Sequence, residues 1–156
     1  MRYLSLAAAA LAAVTAFAGP AAADGITIVS PPAFTVDPVG KAPLSCGYGR
    51  PGLGVACGSN GPMTSGTKTI GTVYRECTLQ KKGAKYDTSS CDATFVFDDG
   101  SQIGVRGLVP VPHAKVEAKG FDGYVLGGTL KYEGWYGTVH YEPVAAKPGQ
   151  YWVTFH

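Results

Sequence analysis

A chain of 156 residues with 22 glycines, 11 prolines and only 15% charged residues has room for one ordinary domain, and its Gly/Pro content excludes a mainly helical one. The formal charge of +2 gives no electrostatic ground for binding nucleic acid or an anionic membrane. One small β-rich domain is the answer these limits allow.

The first residues stand apart. Arg2 precedes an Ala/Leu-rich run from Leu4 to Phe17, and Gly19-Pro20 leads into Ala21, Ala22 and Ala23. One positive charge, a short apolar stretch and small residues before a cut mark a secretory leader. Residues 1–23 are therefore expected to be a signal peptide cleaved after Ala23, and the protein to be secreted. The apolar run is shorter than the roughly 18 to 20 residues a membrane span needs, and no second one follows, so no membrane anchor is expected. Cleavage would leave 133 residues and, with Arg2 gone, a formal charge of +1.

Residues 24–66 form the next segment, poor in charge and rich in turn residues: Pro31-Pro32, Pro51-Gly52 and Gly61-Pro62 are examples. Only Ile26 to Ser30 and Ala33 to Val36 read as strand fragments, and the remainder as a loop or flap. Cys46, Cys57, Cys77 and Cys91 are an even set in an exported chain, which reads as two disulfides. Three connectivities are possible. Cys46–Cys57 with Cys77–Cys91 is favoured because each closes a short local loop, the second around a hairpin. Zinc binding needs close Cys pairs or His partners, and neither spacing is present, so no metal or cofactor is expected.

From 67 to 156 the texture changes to short β-branched and aromatic runs separated by turn signals. Strands are expected over Thr67–Leu79, Ala93–Phe97, Gln102–Val109, Lys115–Ala118, Tyr124–Leu126, Gly134–Glu142 and Tyr151–Phe155. Asp98-Asp99-Gly100-Ser101 makes a tight reversal between two of them. Alternation places Tyr151, Val153 and Phe155 on one face of the last strand, and Arg75 on the same face as Cys77. An inward arginine is suited to a ligand carboxylate, with an inward salt bridge as the competing account. Many short antiparallel strands in one small domain mean a sandwich or a closed barrel, and closure removes exposed edges.

Particular motifs specify the fold further. Thr94 to Gly107, with its Asp/Gly turn and I-x-V-x-G strand, resembles the allene oxide cyclase and dirigent protein superfamily. Tyr124 to Val139 resembles that family's Gly-rich hairpin, Tyr151 to Phe155 its aromatic final strand, and Ile70 to Tyr86 its cyclase strand and Lys-rich turn. The resemblance implies a single eight-stranded antiparallel barrel, commonly trimeric, with an apolar cavity at one end. It also implies a small hydrophobic or phenolic metabolite as partner, either cyclised or isomerised by the barrel or steered without turnover while another enzyme makes radicals. A plain extracellular binding or interaction protein is the third reading.

Residue by residue, the resemblance puts Cys77, Tyr86 and Val109 at cavity-lining positions and Asn60 near an asparagine that holds a polarising water. The family's first-strand glutamate has no counterpart in Ile26 to Val36; Asp37 is the nearest acid. The candidate catalytic residues are thus Asp37, Asn60 and Tyr86, and the candidate substrate-binding residues Arg75, Cys77 and Val109. His113, His140 and His156 fit no metal or triad spacing and read as surface or strand-facing side chains, and no G-x-S-x-G occurs, which argues against a hydrolase. The glycines of Gly120 to Gly137 lack the Lys-Ser/Thr and the following helix of a phosphate loop and read as turns and barrel bends.

Overall fold

The computed structural model describes residues 29–37, 45–46, 52–147 and 149–156. The expected leader, residues 26–28 of the first strand fragment and most of the Gly/Pro-rich flap lie outside the described residues. Nine strands follow one another: β1 (Phe34–Val36), β2 (Ser45–Cys46), β3 (Ala56–Ser65), β4 (Lys68–Lys81), β5 (Tyr86–Phe97), β6 (Gln102–Pro112), β7 (Phe121–Gly128), β8 (Thr138–Pro143) and β9 (Tyr151–Phe155). From β3 to β9 each strand pairs antiparallel with the next. β1 then closes the ring by pairing with β9 on one side and β3 on the other. Eight strands thus form a closed antiparallel barrel, and β2 continues the first-strand position further along β3. Closure satisfies the backbone groups that open sheet edges would leave unpaired.

Alternation decides what faces inward. On β9, Tyr151, Val153 and Phe155 are buried while Trp152 and His156 are exposed, as the period-two pattern requires. The tight reversal at Asp98–Ser101 is held by Asp99, whose Oδ1 accepts from the Ser101 amide at 3.0 Å. Lys131 forms an ion pair with the other Asp99 oxygen. At this end of the barrel the interior is full. Phe34 meets Phe95 edge-on with ring centroids 5.1 Å apart, Phe95 meets Phe155 at 5.9 Å, and Trp135 meets Phe155 at 5.3 Å. A single turn of 3₁₀ helix at Leu130–Tyr132 tucks the Tyr132 ring 5.0 Å from Phe97. That turn approaches Gly128 so closely that a Cβ there would sit 2.4 Å from the Tyr132 carbonyl oxygen, so only glycine fits. Each fully buried aromatic or aliphatic side chain here contributes about 1.5–3 kcal/mol.

The structure differs from the sequence expectation in four places. Residues 56–65, expected in the flap, are strand β3 despite Gly58, Gly61 and Pro62. Between Ser59 and Pro62 that strand has no partner in β1 or β2 among the described residues, so it tolerates a residue with no N–H. β5 begins at Tyr86 rather than Ala93, carrying a polar run into the barrel. Lys115–Ala118 is a loop rather than a strand, with Lys115 at φ 69°. β8 starts at Thr138, because the preceding residues are used in the turn that seats Trp135.

Candidate functional site

The two halves of the barrel are built from different side chains. Inward positions on β5 run Phe97, Phe95 and Ala93 in the packed half, then Cys91, Ser89 and Asp87. On β6 they run Ile103 and Val105, then Gly107, Val109 and Val111; on β4 Val73, then Arg75, Cys77 and Leu79. The second set of each strand lines a cavity of about 280 Å³. Val111, at its outer limit, is 40% exposed, which places the mouth at the end of the β4–β5 hairpin. Phe121, Gly123, Val139 and Tyr141 complete the far wall.

The hollow exists because its middle row is made of small or covalently tied residues. Cys46, Cys57, Cys77 and Cys91 face one another in register across β2, β3, β4 and β5. They are joined as Cys46–Cys57 and Cys77–Cys91, the favoured pairing, with no free cysteine among the described residues. The row continues through Gly107 on β6 and Gly123 on β7. A Cβ on Gly123 would lie 2.8 Å from the Arg106 carbonyl oxygen and 3.1 Å from Val139 Cγ1, so the strands here pack too tightly for any side chain. Cystines and glycines leave the barrel axis empty where a Leu or Phe would fill it.

One row nearer the packed half sits Arg75, between Ser59 and Ala93 in register. It points into the interior, and its Nε and Nη2 are buried with no hydrogen-bond partner among the described residues. Burial lowers its pKa from the ordinary arginine value, while Tyr141 and Asp37 act in the opposite sense. Tyr141 projects from β8 into the same cavity, its ring stacked on Phe121 at 4.5 Å. Burial pushes the Tyr141 phenol well above the usual tyrosine range, with Arg75 opposing, so it stays a neutral O–H. At the mouth, the Asp87 Oδ1 lies 3.0 Å from His113 Nε2 and accepts from the Gly83 amide at 3.0 Å, which holds its carboxyl below the usual range.

The expected site residues divide into two groups. Arg75, Cys77 and Val109 all line the cavity, Cys77 as half of a cystine. Asp37 follows β1 and acts electrostatically on Arg75. Asn60 is exposed on β3, on the opposite face from inward Ser59 and Gly61. Tyr86 is outside the set that lines the cavity; its hydroxyl donates to the Glu117 carbonyl at 2.9 Å and Lys119 lies 4.6 Å from its ring centroid. Tyr141, Ser89 and Asp87 belong to the cavity without having been singled out. Arg106 points outward into an ion pair with Asp92. Among the described residues no group of three or more His, Cys, Asp or Glu side chains is placed to hold a metal ion, and no helix is long and apolar enough to cross a membrane.

These features define a closed β-barrel with one packed and one hollow end. No protein family and no curated protein matches the sequence. Among solved structures the chain is similar to pyocyanin demethylase, with a TM-score of 0.57 and 20% identity, over 80% of this chain and 97% of that one. At that identity the likeness is one of fold.

Proposed function

We propose that the protein is a ligand-binding barrel that takes one small, mainly apolar or phenolic metabolite into its hollow end and imposes a conformation on it. The observation that carries this reading is the cavity of about 280 Å³, walled by aliphatic, aromatic and cystine side chains beside a barrel half that is filled. Its volume lies just below the roughly 300–1,000 Å³ of pockets that take drug-sized molecules, which favours a compact guest. A mainly apolar, preformed wall favours one bound geometry, and holding a reactive molecule in that geometry is how such a barrel would guide a cyclisation or isomerisation. The motif resemblance to the allene oxide cyclases supports that activity, with Asp37 as the acid that acts electrostatically on inward Arg75. The two disulfides fit an oxidising, extracellular setting.

A second reading, binding and steering without turnover, is favoured by the oxidised state of Cys77, the outward position of Asn60 and the engagement of the Tyr86 hydroxyl by the Glu117 carbonyl. Native mass spectrometry of the protein after exposure to extracts of its producer tests the common element: one small guest per chain is expected, and an interior that retains none refutes it. Incubation with the recovered guest separates the two readings. Ring closure or isomerisation without an added oxidant identifies a catalyst; unchanged guest identifies a carrier or guide.

A further inference from the structure

Shape leaves the chemistry of the guest open, and Arg75 narrows it. Nε and Nη2 share one edge of the planar guanidinium, the edge whose two parallel N–H bonds meet both oxygens of a carboxylate. In this protein that edge has no hydrogen-bond partner among the described residues. Elsewhere, Arg106 pairs with Asp92 and Lys131 with Asp99 on the outer surface. Asp37 acts on the Arg75 charge from a distance beyond an ion pair, and Tyr141 adds a neutral hydroxyl to the same cavity. A cation whose fork is unclaimed, set at the inner end of an apolar cavity, is a costly arrangement that an anionic guest relieves.

We propose that Arg75 is the receptor for a carboxylate, and that the barrel's guests are compact, otherwise apolar carboxylic acids of aryl or medium-chain size. The inference rests on the reading of the hollow as a ligand site. The acid group sits beside Arg75 against the packed half, and the apolar remainder lies along the cystine row toward Val111. A monoanion matches Arg75, the arginine without a partner among the described lining residues. A phosphate dianion would bring a second charge to a wall whose other described arginine, Arg106, is already paired with Asp92. A neutral phenol offers one oxygen to a two-pronged donor.

The test uses 2-naphthoate and 2-naphthol as probes, which share a ring system and differ in the group presented to Arg75. Binding is followed by probe fluorescence at pH 7 to the full-length, oxidised wild-type protein and to Arg75→Met and Arg75→Lys variants. The wild type is expected to prefer the acid by about tenfold or more. Arg75→Met should abolish that preference while changing naphthol affinity by less than about threefold. Arg75→Lys keeps the charge without the fork and should fall between. Equal wild-type affinity for the two probes overturns the proposal and leaves the cavity reading intact, as does an Arg75→Met variant that keeps the preference. A methionine variant that melts normally and loses both probes makes Arg75 a wall residue and also overturns it. If the wild type binds neither probe, the cavity reading fails and the carboxylate receptor falls with it.

Discussion

Replacing Arg75 by methionine should make the ligand-free protein more stable. Nε and Nη2 are out of contact with solvent and have no hydrogen-bond partner among the described residues. A buried donor left without a partner costs about 1–3 kcal/mol, so two set a gross penalty of about 2–6 kcal/mol. The attraction of Asp37 and Tyr141 for the guanidinium offsets part of it. Halving the gross figure leaves a net gain of about 1–3 kcal/mol for a side chain of similar length that needs no partner. In a domain of this size that is a rise in Tm of roughly 3–10 °C. Urea unfolding and thermal circular dichroism of the oxidised, ligand-free proteins measure it, with an unchanged urea m-value showing that stability alone has moved. A methionine variant less stable than wild type by more than about 1 kcal/mol refutes the reasoning, because the guanidinium must then be satisfied in the native protein. A gain accompanied by lost acid binding is the trade that binding residues commonly show.

The double variant C77A/C91A opens a loop of 14 residues and should lose about 3 kcal/mol in urea unfolding; a loss below about 1 kcal/mol contradicts the entropic account. Ser89→Phe places an aromatic side chain in the row between Leu79 and Val109, and should abolish probe binding while changing stability by less than about 1.5 kcal/mol; retained binding would put the guest elsewhere. His140 has Asp122 Oδ1 at 2.7 Å and Glu142 Oε2 at 3.3 Å, with Asp122 the larger cause of its raised pKa. Its contribution is therefore fully present below pH 6.5 and lost as pH rises through the higher folded value. The side chain is 40% exposed, so the contribution is only a few tenths of a kcal/mol. An NMR titration midpoint at or below 6.5 would contradict it.

The strands easiest to read from sequence are those whose inward face meets the packed half. β9 was legible to the residue because Tyr151, Val153 and Phe155 all contact other apolar side chains. The start of β5 was not, because Asp87 and Ser89 face a hollow, and a wall that borders empty space need not be apolar in alternation. β3 was hidden by Gly61 and Pro62, residues that ordinarily break strands and here occupy a stretch with no partner in β1 or β2 among the described residues. The same logic governs the site. The inward position of Arg75 follows from its two-residue spacing from Cys77, which survives any change of packing partner. Tyr141 reads as ordinary core until its ring is seen stacked beside the guanidinium's cavity. Asn60 and Tyr86 were placed by motif resemblance, and a shift of one residue in a strand moves a side chain to the other face.

The location of the disulfides follows from the hollow. An empty space of about 280 Å³, at about 24 cal/mol per Å³, forfeits up to about 7 kcal/mol of packing, an upper figure because the mouth admits water. The two disulfides close loops of 11 and 14 residues, and each contributes about 3 kcal/mol by restricting the unfolded chain. Together they are worth about 6 kcal/mol, enough to offset most of what the cavity gives up. They lie in the row where packing is missing, tying β2 to β3 and β4 to β5, while the aromatic end has no cystine and holds itself by ring contacts. A barrel stabilised only by its core would have to fill that row with large side chains and lose the cavity. Cross-strand covalent bonds let the same strands stay closed around a hollow middle row, with Arg75 in the wall one row further in.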